Sequence, residues 1–274
     1  MLLRSRSIPV ICFLTLIFAV AALSQTGSKP VATPVPTPTP TPRSKNTIKP
    51  ENAGQVADLS IFVYGLGGGR AQLNQIRKTT YERGTTKITA ADGKTQTANY
   101  QRFVIRADAL SKEKIRLDQE FPGARYSLVY KEEKIYGIYN NTVFTPRQDA
   151  SKSFENQIVH GLEALLRYKE NESKLDLGTR EKVMGVEYYV VDVTDKQDRK
   201  TRFYVSAKTY RVMMLTYEDG GVKYRRKFYD YNNAQGTLVP FRSVLWANDR
   251  VVEEGEVLTV TFGQRIDDEL FNAG

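Results

Sequence analysis

The stretch Asp219-Gly220-Gly221-Val222-Lys223-Tyr224-Arg225-Arg226-Lys227-Phe228-Tyr229-Asp230-Tyr231 carries the period on which the fold turns. Successive side chains of an extended chain point to opposite sides. Val222, Tyr224 and Phe228 therefore share one face, and Lys223, Arg225 and Lys227 share the other. By the same count Tyr229 and Tyr231 continue the charged face. The Asp-Gly-Gly in front supplies a tight turn. Such a run reads as one strand of an antiparallel sheet, apolar on one face and charged on the other.

The same pattern extends in both directions. Downstream, Asn248-Asp249 marks a turn, and Leu258, Val260 and Phe262 alternate. Upstream, Met213, Leu215 and Tyr217 share a face, as do Phe203 and Val205, while 186–193 is apolar on both faces. Earlier still, strands are predicted over 72–90, 97–107, 115–118, 126–131 and 134–139. Asp92-Gly93, Pro122-Gly123 and Asn140-Asn141 are the turn signals between them. Strand after strand on short turns gives a meander, and a meander of this length must curl.

Two segments break the strand period. Phe154, Ile158, Leu162 and Leu165 fall on one helical stripe, with Ser153 as the N-cap. This predicts a single long helix over 153–170. Near the front, Val56, Leu59 and Val63 recur at three and four residues, with Phe62 close to the same face. A short helix or a buried strand over 59–64 both fit. Gly65-Leu66-Gly67-Gly68-Gly69 ends the element either way. It lacks the Gly-Lys-Ser/Thr ending of a phosphate loop and the spacing of a dinucleotide loop, so it is read as a turn, and no cofactor is assigned.

The first residues read as an export signal. Arg4 and Arg6 precede an apolar run over 11–23, and cleavage is expected between Ser24 and Gln25. Cys12 is the sole cysteine and follows Ile11, which does not fit a lipid-attachment site. Without the signal the chain has no thiol, which excludes disulfides, thiolate metal sites and cysteine nucleophiles. Residues 25–52 hold a Pro/Thr alternation and form a tether without a core of its own. The folded domain is placed at 53–274. The formal charge of +9 favours anionic surfaces, including peripheral contact with phospholipid headgroups, and an exported chain is not expected to meet nucleic acid.

Candidate chemistry is sparse. His160 is the only histidine and lies opposite the 154/158/165 stripe, so it is expected to face solvent. It has no Gly-x-Ser-x-Gly partner motif. The pairs Glu132-Glu133, Glu253-Glu254 and Asp267-Asp268 each offer one carboxylate per face of a strand. That does not suit a shared acid/base site, although carboxylates from separate strands could still meet as in a glycan hydrolase. Trp246 and Met213/Met214 could line a groove, although large apolar residues in sheets are more often core. The tail 267–271 reads as a clasp with Phe271 packed onto a sheet edge.

The succession of elements resembles a known superfamily. Its most specific part is Gly185-Val186-Glu187-Tyr188-Tyr189-Val190-Val191-Asp192-Val193, then Phe203-Tyr204-Val205 and Tyr210-Arg211-Val212. After these come Phe228-Tyr229-Asp230-Tyr231, Gly236-Thr237-Leu238-Val239-Pro240 and Ile266-Asp267-Asp268-Glu269-Leu270-Phe271. This is similar to the lipoprotein-localisation superfamily of LolA/LolB-like and RseB/MucB-like periplasmic proteins. The resemblance implies an α+β fold: a strongly curved antiparallel sheet, a half-open β-barrel, with one long helix and a short N-terminal helix on its concave face. It also implies a non-catalytic periplasmic binding protein whose partner is a lipid, a lipidated protein or a hydrophobic peptide. The alternative is an envelope sensor or scaffold that binds another protein through the sheet. The groove residues expected are Phe203, Val205, Met213, Leu215, Tyr224 and Phe228, with Lys223, Arg225 and Lys227 as a rim for anionic headgroups. No metal site is expected.

Overall fold

The computed structural model describes residues 49–272; the signal segment, its cleavage point and the tether up to residue 48 lie outside the described residues. The first element is a helix, α1 (Ala53–Tyr64), started by Asn52, whose side chain accepts from the Gln55 backbone N–H at 2.9 Å. Its inner face is Val56, Ala57, Ser60, Ile61 and Tyr64 rather than the Val56/Leu59/Val63 stripe, and Phe62 is 52% exposed. Small residues at 57 and 60 let the helix lie close to the sheet and turn Phe62 outward.

After the glycines the chain forms a second helix, α2 (Gly69–Ile76), where a strand from residue 72 was predicted. Gln72 to Gln75 contains no β-branched residue, and the Arg77 N–H closes the last turn on the Leu73 carbonyl at 2.9 Å. The strand begins only at Thr79.

Six strands follow: β1 (Thr79–Thr89), β2 (Thr95–Ile105), β3 (Lys114–Phe121), β4 (Ala124–Lys131), β5 (Lys134–Tyr139) and β6 (Thr142–Phe144). Two helices interrupt, α3 (Gln148–Val159) and α4 (Glu163–Leu166). Then come β7 (Lys174–Leu177), β8 (Glu181–Val183), β9 (Val186–Thr194), β10 (Lys200–Ser206), β11 (Val212–Asp219), β12 (Val222–Ala234), β13 (Thr237–Ala247) and β14 (Arg250–Phe262). The strands form one curved antiparallel sheet in the order β6-β5-β4-β3-β2-β1-β14-β13-β12-β11-β10-β9-β7, with β8 also on β9. β1 pairs with β14, so the two meanders join into one sheet, while β6 and β7 do not pair and the barrel stays open. The turns fall where the sequence puts them. Asn140-Asn141 and Asn248-Asp249 both hold two consecutive positive φ angles (48° and 59°; 46° and 64°), which matches the twist of flanking strands.

The predicted long helix is two helices. α3 starts five residues before Ser153, and no side chain caps it. It stops at Val159 because the chain turns out at His160 (φ −101°, ψ 17°) and Gly161. A Cβ on Gly161 would sit 2.6 Å from the Gln157 carbonyl oxygen, so this departure needs glycine. The expected stripe is thereby divided. Phe154 and Ile158 pack on Val104, Ile115, Leu117 and Leu128 of the first meander. Leu165 and Leu166 of α4 join α1 over the second meander, against Phe203, Val205 and Leu215. Each such side chain contributes about 1.5–3 kcal/mol when fully buried.

Two further corrections concern strand faces. Between β10 and β11 the register slips, Tyr204 facing Met214 and Val205 facing Val212, so Met213 is the extra residue of a bulge and Val212 takes the inward place. At Asp230 (φ 53°) the chain rotates and Tyr231 turns inward, where its hydroxyl lies 2.9 Å from that of Tyr64. The C-terminal clasp exists, but Phe271 is covered by Val129 and Ile138, on the sheet face away from the helices, and not by an edge. Arg116 holds it there, donating to the Leu270 carbonyl at 2.5 Å.

Candidate functional site

The helices do not cover the concave face evenly. α1 and α4 fill the space over β9–β12, but over the first meander only α3 crosses. The space left is a cavity of about 1610 Å³ between α3, the inner face of β1–β4 and the inner face of β11–β14. It exceeds the ~300–1,000 Å³ of most small-molecule sites.

α3 is held across the opening by polar ties at several points. Asn156 donates to Asp219 at 3.0 Å, Arg199 to Glu155 at 2.9 Å, and Gln157 to Glu253 at 3.4 Å. Beneath it, one wall is apolar: Val104, Leu117, Leu128 and Tyr130 from the strands with Phe154 and Ile158 from the helix. The facing wall carries Tyr217, Tyr224, Phe228 and Leu245.

Between these walls runs a polar band. Tyr100 donates to Glu82 at 2.8 Å, and burial followed by the Glu82 charge pushes the Tyr100 phenol far above its usual range. Gly84 allows this arrangement. A Cβ there would meet the Glu256 carbonyl at 2.1 Å and the Tyr100 ring at 2.7 Å, and the β1–β14 register slips at the same point. Arg226 pairs with Glu253 at 2.9 Å. Arg102 also lines the cavity.

A buried ion network forms part of the cavity wall. Glu113 lies between Arg106 (2.6 Å) and Arg167 (3.1 Å), and Glu163 lies 2.6 Å from Arg77. Burial opposes the charge on Glu163, but Arg106, Arg77 and Arg167 outweigh it and hold the carboxyl at about 2. The network joins the end of α2, β2 and α4, and Arg77 reaches β13 through the Leu238 carbonyl at 2.8 Å.

His160 is buried, 5% exposed, in contrast to the solvent-facing position expected of an unbroken helix. Its Nδ1 lies 2.7 Å from Thr201 Oγ1. Its ring stacks on Tyr217 (centroids 4.1 Å apart), which stacks on Tyr224 (4.8 Å), so three rings lead from the end of α3 to the cavity wall. Burial, then the Arg199 charge, lowers the imidazole to about 4.

Of the six groove residues expected from sequence, Tyr224 and Phe228 line the cavity. Phe203, Val205 and Leu215 are fully enclosed in the core under α1 and α4, and Met213 sits in the bulge. Lys223, Arg225 and Lys227 lie on the outer face of β12. There the Arg225 guanidinium and the Lys227 ammonium stand 5.1 and 5.7 Å from the Trp246 ring, so these cations and Trp246 are together away from the cavity. Glu253 faces inward while Glu254 pairs with Lys87 outside, as adjacent strand residues must. Sequence reasoning passed over Glu82, Tyr100, Arg102, Leu117 and Leu128. The available signal was the alternation Ala98, Tyr100, Arg102, Val104, a strand whose inner face carries an arginine among apolar residues.

No family model matches the sequence, and no curated protein does. Among solved structures, the fold is similar to a DUF1329 family protein from Desulfovibrio piger ATCC 29098 (14% identity, 80% of this chain and 97% of that one, TM-score 0.58). It is also similar to the LolA superfamily protein NE2245 from Nitrosomonas europaea (12%, 81% and 97%, TM-score 0.58). A third is a domain assigned to outer membrane lipoprotein sorting from Vibrio parahaemolyticus (13%, 81% and 97%, TM-score 0.51). The shared property is the fold: an open, curved antiparallel sheet of the LolA type with helices on the concave side.

Proposed function

We propose that this chain is a non-catalytic binding protein of the periplasm that shelters the acyl part of a lipid or a lipidated protein in the cavity under α3. The observation that carries the reading is the unequal filling of the concave face. The β9–β11 part of the second meander is sealed by α1 and α4, while a cavity of about 1610 Å³ with an apolar wall remains between the first meander and β12–β14. An aliphatic chain needs only such a wall, at about 0.8 kcal/mol per buried CH₂. Likeness in fold to a lipoprotein-sorting domain and a LolA superfamily protein supports the same class of ligand. Among the described residues no helix is long and apolar enough to cross a membrane.

The test is lipid mass spectrometry of the protein purified from its native envelope, together with displacement of a neutral fluorophore such as N-phenylnaphthylamine by long-chain amphiphiles. Co-purifying lipid and displacement are expected. Protein free of lipid that binds neither probe nor amphiphile would remove the reading.

A second reading, a scaffold for another envelope protein, draws on one observation. The β8–β9 hairpin exposes Met184 (90%) beside Val186 (42%), with Leu177 (39%) on neighbouring β7. Covalent crosslinking at Met184 in intact cells distinguishes it, since a carrier gains no partner there.

A further inference from the structure

We propose that Arg102 is the anchor for an anionic headgroup, so that the ligand of the cavity is an aliphatic chain ending in a phosphate or a carboxylate. The inference rests on the carrier reading and adds the chemical class of the ligand and the residue that selects it.

Buried guanidiniums are costly unless paired. Those set inward in this fold are paired: Arg77 with Glu163, Arg106 and Arg167 with Glu113, Arg226 with Glu253. Arg102 is the exception. Among the described residues it has no ion pair and no side-chain hydrogen bond; its Nε is enclosed without a partner, as are those of Arg106 and Arg167, but those two guanidiniums have a carboxylate and Arg102 has none. The carboxylate on the adjacent strand, Glu82, stands directly across from Arg102 in the β1–β2 register, yet it accepts from Tyr100 instead. Arg102 thus lines the cavity without an ion pair, its cross-strand neighbour Glu82 being turned towards the Tyr100 hydroxyl.

Its position within the sheet matters as much as its charge. Strand register places Leu128, Leu117, Arg102 and Glu82 in one row across β4, β3, β2 and β1. Arg102 therefore stands where the apolar wall meets the polar band. A chain lying on Leu117 and Leu128 would bring its terminal group to the guanidinium. The planar fork of arginine matches the two oxygens of a carboxylate or phosphate, and such charge-assisted bonds are stronger in a cavity than in water. The Lys223/Arg225/Lys227 set cannot serve this purpose, because it lies on the opposite face of the sheet.

The experiment compares dodecyl phosphate, dodecanoate and dodecanol, below their aggregation concentrations, as displacers of bound N-phenylnaphthylamine from the full protein. The proposal expects at least one anionic displacer to bind about tenfold or more tighter than the alcohol. That preference should disappear in R102Q and be weakened but retained in R102K, which keeps the charge and loses the fork, with thermal midpoints confirming that both variants fold. Whichever anion is preferred identifies the headgroup. Equal affinity of all three for the unmodified protein overturns the role of Arg102 and leaves the apolar cavity in place. An anionic preference that persists in R102Q also overturns it. Failure of every displacer, and of the fluorophore, overturns the carrier reading and this inference with it.

Discussion

The buried imidazole of His160 makes the protein's stability depend on pH in a window that can be calculated. In the unfolded chain the ring titrates at about 6.5. In the fold it titrates at about 4, first because it is buried and second because Arg199 is near. Between these values the unfolded chain binds a proton that the native state refuses, so stability is full above pH 6.5 and is lost as pH falls towards 4. At pH 5 the unfolded ring is almost fully protonated and the native ring about one tenth so. Integration from pH 7 to pH 5 gives a loss of about 2 kcal/mol from this one group. Urea unfolding at the two pH values measures it. In His160→Gln, which keeps a polar group opposite Thr201 but cannot titrate, the same drop should be shallower by about 2 kcal/mol, because the carboxylates contribute equally to both proteins. With a single histidine in the sequence, the ring proton resonance reports the native midpoint directly. A native midpoint near 6.5, or a variant that loses stability as steeply as the parent, refutes the argument.

Two other substitutions separate the sealed half from the open half. Phe203→Ala should cost about 3–5 kcal/mol in urea unfolding while leaving fluorophore affinity unchanged, since that ring is enclosed under α1 and α4. Lost affinity at unchanged stability would place the ligand in the other half of the concave face, under α1 and α4. Glu113→Ala leaves the Arg167 guanidinium without its ion pair and Arg106 with Glu163 alone, 3.4 Å away. A loss of about 3–5 kcal/mol is expected, read as a drop in thermal midpoint on the order of 10 °C, and an unchanged midpoint would mean the network is dispensable.

Strands and turns were legible in the sequence because their signals are local. Asp92-Gly93, Asn140-Asn141 and Asn248-Asp249 sit in turns, and the runs that flank them are strands, because β-branched and aromatic residues with backbone-permissive turn residues act within a few positions. Faces were less legible, because one irregular residue inverts everything after it. The bulge at Met213 and the rotation at Asp230 moved Val212 and Tyr231 inward against strict alternation. The helix break at Gly161 did the same for His160. Which half of the sheet stays open was beyond local reading altogether. It depends on where α4 docks after the break, and that is decided by Leu165 and Leu166 meeting α1 across more than a hundred residues of chain. The expected groove residues lie on the best-patterned strands, and those strands carry the most complete core.

The seam between β1 and β14 has a consequence for how the molecule is made. Thr79 hydrogen-bonds the Gln264 carbonyl across 185 positions of sequence, and nine residues of β1 have partners on β14. Until that last strand arrives, β1 is a bare edge, open to pairing with any other extended chain. Contacts this distant in sequence slow the final step of assembly. A newly made copy therefore spends its most vulnerable interval with the first meander already paired and its closing strand still to come.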